Sequence, residues 1–142
     1  MANSGNYWKR RDQRIDEILE SWKTAAAFAA VALKSAILLN GAAAVAMLAF
    51  IANRGDSGGA LVPSLRFFVY GVLSASLATA FGYLSAYAEN QSLWRWVEDK
   101  EKLAKVLFRV SVGLQVIAIA LIVYAYVQFW FGTEAGIAAL AF

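Results

Sequence analysis

The chain has no cysteine and no histidine. The first absence excludes disulfides, thiolate nucleophiles and cysteine-built metal sites. The second removes imidazole as a general base, and the two together remove the usual ligands of zinc and haem. Charge is scarce as well: 16% of residues are charged, against about 25% in ordinary soluble domains. There is a single proline, Pro63. Carboxylates are missing from every long apolar stretch and lie only in connections, tails and polar helical segments. Proton relays and cation pumps usually place Asp or Glu inside a span, so that class is disfavoured.

What is present is hydrophobic. Of 142 residues, 61% are apolar, more than a chain of this size can hide from water. The apolar runs are Ser35–Ala52, Leu65–Ala88 and Val110–Phe131, the first preceded by a softer run, Ala25–Leu33. Each is long enough to cross a hydrocarbon core of about 30 Å at about 1.5 Å per residue. The expected fold class is all-α: an integral membrane bundle of three transmembrane helices, with amphipathic cytoplasmic helical extensions before the first and third spans. The whole chain reads as one membrane domain.

The connections fit that layout. Residues 53–64, "NRGDSGGALVPS", read as a turn-rich loop. Residues 89–92 read as a break, with Ser92 as the N-cap of a helix that runs from Leu93 into the third span. Glu98 with Lys102 and Glu101 with Lys105 stand four apart, acid first, which suits a solvated helix face. Leu93, Trp96, Val97, Leu103 and Leu107 form its apolar stripe. At the N-terminus Met1–Asn6 reads as disordered. Ile15, Ile18, Leu19, Trp22, Ala26, Ala29 and Leu33 then recur at helical spacing with charges between them, and no break separates this helix from the first span.

Basic residues orient the chain. Lys9, Arg10, Arg11, Arg14 and Lys23 precede the first span, and Arg95, Lys100, Lys102 and Lys105 lie in the second connection. The first loop holds Arg54, with Arg66 at its edge, and the tail has none. The positive-inside rule then places the N-terminus and second connection in the cytoplasm, the first loop and C-terminus outside, and the protein in a bacterial inner membrane without a cleavable signal peptide. Lys9, Arg10, Arg11 and Arg14 are candidates for contact with anionic lipid. The net charge of +3 is too small and dispersed to argue for nucleic acid.

A few polar residues stand within the oily runs. Lys34 and Arg109 read as interface anchors whose ammonium and guanidinium reach headgroups. Asn40 lies six residues beyond Lys34, and Gln115 six beyond Arg109. Measured from those anchors, both amides fall about 9 Å deeper, at a common depth, with Thr79 and Tyr83 close by. They read either as hydrogen-bonding glue between helices or as a polar ring in a pore. Ser74, Ala78, Gly82 and Ala86, spaced by four, form a small-residue ridge, and Gly41 heads a second small patch. Trp94, Trp96, Tyr83 and Tyr87 near one interface and Phe129, Trp130 and Phe131 near the other suit aromatic belts.

Residues 55–59 spell "GDSGG", the surroundings of the nucleophile in chymotrypsin-like serine proteases, but that mechanism needs an imidazole base. Residues 54–56 spell "RGD", which a Gly-rich loop yields by chance. With no nucleophile, base or metal ligands assembled, the chain reads as non-catalytic, without cofactor or metal. The expected function is a self-associating membrane protein that forms a channel or pore-like assembly. The alternative is an accessory or scaffold subunit of a larger membrane complex. Its expected partners are the lipid bilayer and either further copies of itself or other membrane subunits.

Overall fold

In the computed structural model the described residues are 4–54, 59–97 and 100–140; the side chains of most residues before Ala26, and of Arg54, Trp96 and Val97, lie outside the description. Apart from a 3-10 turn at residues 59–61 and Lys100, every described residue is α-helical and none is in a strand. The helices are α1 (Ser4–Arg54), α2 (Val62–Val97) and α3 (Glu101–Leu140). Each contains a segment long and apolar enough to cross a membrane. The chain divides into two compact units, Met1–Ala32 and Leu33–Phe142. The first is helical from Ser4, so residues 4–6 are ordered helix rather than the expected disorder. The basic side chains Lys9, Arg10, Arg11 and Arg14 fall outside the description, as do residues 1–3, Gly55–Gly58 of the "GDSGG" and "RGD" stretches, and Glu98.

The second unit packs α2 and α3 as an antiparallel hairpin with the later part of α1 laid along it. The helix boundaries at both connections differ from those expected. Helix α2 begins at Val62, so Pro63 sits in its first turn, where the missing N–H costs no hydrogen bond. Ser92 does not cap a helix. It is buried within α2, which runs on to Val97, and its Oγ donates to the Ala104 carbonyl at 2.8 Å. The reversal comes later, where Lys100 N–H donates to the Arg95 carbonyl and the Lys100 carbonyl accepts from Ala104 N–H, both at 3.0 Å. Arg95 in the last turn of α2 and Glu101 in the first turn of α3 each oppose the local helix-dipole charge. Of the expected acid-first pairs, Glu101 and Lys105 form an exposed ion pair at 2.5 Å.

Small residues every seven positions hold the hairpin together. On α2 these are Ser64, Gly71, Ala78, Ser85 and Ser92; on α3 they are Ala104, Ser111, Ala118, Ala125 and Gly132, and all are buried. Three serine contacts fix their antiparallel register: Ser64 to the Gly132 carbonyl at 2.5 Å, Ser85 to the Ser111 carbonyl at 2.9 Å, and Ser92 to Ala104. That register sets Gly71 opposite Ala125 and Ala78 opposite Ala118. A seven-residue repeat drifts only about 20° around a straight helix per step, so gentle supercoiling keeps it on one seam. Small side chains let the backbones close to hydrogen-bonding range of a serine hydroxyl. At the far end of the hairpin Phe67 faces Phe131 and Phe68 faces Phe129, with ring centroids 6.0 and 5.8 Å apart. A Cβ on Gly132 would lie 2.7 Å from Phe68 Cε1, so that ring needs a glycine opposite it.

Candidate functional site

Asn40 sits where the three helices meet. Its side chain is fully buried, with 0% exposure. Its Nδ2 donates to the carbonyl of Ala36, one turn earlier on α1, at 2.9 Å, and to the carbonyl of Ala125 on α3 at 3.1 Å. On the α2 side it faces Gly71. A Cβ there would fall within the van der Waals envelopes of Asn40 Oδ1 and Cγ and lie 2.8 Å from Nδ2. Around this point Ala36, Ala75 and Ala125 form the apolar centre, flanked by Leu33 and Ile37. Alanine on all three helices brings the backbones together, and the amide fills the remaining gap.

Gln128, one turn beyond Ala125, is the second buried amide, 6% exposed. The side-chain carbonyl oxygens of Asn40 and Gln128 both lack a hydrogen-bond donor among the described residues. Sequence reasoning fixed on Gln115 and passed over Gln128. The signal that could have found it is the seven-residue ladder, since Gln128 lies three residues after one rung and four before the next.

The register corrects the expected common depth of the amides. Asn40 is level with Ala125, ten residues past Gln115, a separation of about 15 Å along α3. Gln115 is only partly buried. Thr79 lies eight residues past Gly71 on α2; its side chain is exposed, and its Oγ1 donates to the Ala75 carbonyl of its own helix at 3.1 Å. Asn40, Gln115 and Thr79 therefore form no ring within one chain.

The same register moves Lys34. Helix α1 runs parallel to α3 and antiparallel to α2, since Met47 and Ser64 both approach Gly136 beyond the Asn40 level. Six residues back from Asn40, Lys34 is level with about Leu77 on α2 and Ile119 on α3. The charge-free segments of those helices, Phe67–Ala88 between Arg66 and Glu89 and Val110–Thr133 between Arg109 and Glu134, have their midpoints close to these two residues. Lys34 and Arg109 are thus about 15 Å apart in level, not paired at one boundary. Both are exposed.

The small-residue ridge divides. Ser74 and Ala78 are buried, with Ser74 Oγ donating to the Tyr70 carbonyl at 2.6 Å. Gly82 and Ala86 are not buried, and nothing lies within 4 Å of a Cβ built on Gly82. A Cβ on Gly41 would also meet open space. Of the aromatic positions, Tyr83, Tyr87, Trp94, Trp130 and Phe131 are exposed. Near the C-terminal end of α1 a groove of about 350 Å³ is lined by apolar residues including Ala43, Met47, Phe50, Leu61, Phe68 and Ile137. Among the described residues no group of three or more Asp or Glu side chains is placed to hold a metal ion. No family model, curated protein or solved structure matches the chain.

Proposed function

We propose that this chain is a non-catalytic, multi-pass membrane protein acting as a structural or accessory subunit of a larger membrane assembly, oriented with its N-terminus in the cytoplasm of a bacterial inner membrane. The observation that carries this reading is the burial of Asn40. Its amide bonds α1 to α3, packs against Gly71 of α2, and is fully buried within one chain. A channel built from copies of the chain is the competing reading. It drew on Asn40 and Gln115 as a shared polar ring, and they stand about 15 Å apart in level. The unburied small residues Gly82 and Ala86 leave a face of α2 open to contact between subunits.

The test is reconstitution of the purified chain in vesicles, with ion and dye flux measured beside its unfolding. The unmodified chain is expected to pass neither. Asn40→Leu is expected to lower stability, since it replaces a fitted, hydrogen-bonded amide at a closely packed point. Flux from the unmodified chain that disappears in Asn40→Leu while folding is kept would overturn the subunit reading in favour of a pore.

A further inference from the structure

The face of α1 turned away from the bundle carries a stripe at alternating spacings of four and three: Lys34, Leu38, Gly41, Val45, Leu48 and Ala52. Leu38, Val45 and Leu48 are strongly exposed, and Gly41 is open above its Cα. That pattern is a heptad seam, the arrangement by which one helix packs lengthwise on another. Within the described residues it has no partner helix. At one end of it stands Lys34, level with the middle of the charge-free segments of α2 and α3. Each of those segments is about 33–36 Å long, and from this level the nearest end lies about 14 Å away. A lysine stem of about 6 Å cannot carry an ammonium that far, which removes the headgroup-anchor role expected from sequence. A charge at that depth is stable only against an opposite charge or water.

We infer that this seam is a docking site for a transmembrane helix of another protein carrying an aspartate or glutamate at mid-depth, paired with Lys34. The inference rests on the reading of the chain as a membrane-embedded subunit and names the chemistry of its partner. Charge decides against a second copy as the occupant. No span of this chain contains an acidic residue, so neither a parallel nor an inverted copy can set a carboxylate against Lys34. Open Gly41, two turns along the seam, lets the partner backbone come close, and Leu38 and Val45 flank that approach.

The experiment uses the full chain in lipid vesicles with a labelled leucine–alanine transmembrane helix carrying one central Asp, beside the same helix with Leu there. Energy transfer to a donor on the chain reads association. The Asp helix is expected to bind about tenfold more tightly than the Leu helix, the preference is expected to vanish in Lys34→Leu, and Lys34→Arg is expected to keep it. Moving the Asp nine residues toward either end, about 13 Å, is expected to abolish it as well. Lys34 is exposed, so an unchanged unfolding transition in Lys34→Leu will separate lost pairing from lost fold. Equal binding of the Asp and Leu helices to a monomeric, flux-silent chain overturns this inference and leaves the subunit reading standing. Copies that crosslink through cysteines at Leu38 or Val45 and conduct ions without any added helix overturn both.

Discussion

Gly71→Ala tests the packing around Asn40 at a single methyl group. The new Cβ would overlap Asn40 Oδ1 and Cγ, so the amide must swing away or the helices must part. Swinging away breaks the bonds to Ala36 and Ala125. Hydrogen bonds between membrane helices are each worth about 0.6 kcal/mol on average and about 1.7 kcal/mol at most. Crowding a packed core costs about 1–3 kcal/mol in addition. The expected loss is therefore about 2–4 kcal/mol. Asn40→Ala alone should cost about 1–3 kcal/mol, through the same bonds and the cavity it leaves. In the double variant the methyl group added by Gly71→Ala occupies space that the amide has vacated. The two changes should then couple favourably by about 1 kcal/mol or more, within the range seen for touching residues.

The assay is reversible unfolding in mixed micelles for the parent, the two single variants and the double variant. Gly41→Ala and Gly82→Ala serve as controls: neither Cβ would meet an atom within 4 Å, so both should be neutral or slightly stabilising. Effects of Gly71→Ala and Asn40→Ala that add to within about 0.5 kcal/mol would refute the claim that the two residues touch.

Gln128→Met should leave stability unchanged or raise it by up to about 1 kcal/mol in thermal unfolding, because it removes a buried carbonyl oxygen without a donor while keeping the volume. Ser85→Ala should destabilise more than Ser111→Ala, by about 0.5–1 kcal/mol in the same assay, since Ser85 bonds both the carbonyl and the hydroxyl of Ser111 whereas Ser111→Ala removes only the hydroxyl contact. For topology, a cysteine at Ala60 should react with an impermeant maleimide in intact cells, and one at Lys102 should react only after lysis. Ser92 is unsuitable as the inner probe because its hydroxyl is buried against Ala104.

The three apolar helices were legible in the sequence because lipid imposes a simple rule: long uncharged runs at about 1.5 Å per residue. The small-residue seam was equally present but was read at the wrong spacing. Ser74, Ala78, Gly82 and Ala86 step by four, and each such step turns about 40° around a helix, so by Gly82 the row has left the face where Ser74 began. Ser74 and Ala78 are buried while Gly82 and Ala86 are not; Gly82 follows buried Ala75 by one heptad, so the stripe that meets the Asn40 level of α1 is uncovered further along α2. A step of seven drifts by about half as much, and in the opposite sense, so five rungs can share one long interface. The break after α2 was misplaced for a related reason. Ser92 is a good N-cap by type, but here it is the last rung of that ladder, and its hydroxyl serves α3.

Depth was harder to read than packing. In an apolar run longer than the bilayer requires, a basic residue marks a boundary only if the helix cannot slide along its neighbours. The softer run Ala25–Leu33 before Lys34 gave α1 that freedom. What fixes the level of α1 is a fit among residues distant in sequence: the Asn40 amide, the missing Cβ of Gly71, and the carbonyl of Ala125. None of the three signals the others locally. Once they meet, Lys34 is carried level with the middle of the charge-free segments of α2 and α3, away from the boundary where its sequence context places an anchor. A Lys at the centre of a span costs about 2.5–3.5 kcal/mol on insertion scales. If the chain is the membrane subunit proposed above, the same fit that stabilises the bundle places this cost on its lipid-facing side, where a carboxylate on a neighbouring helix would offset it.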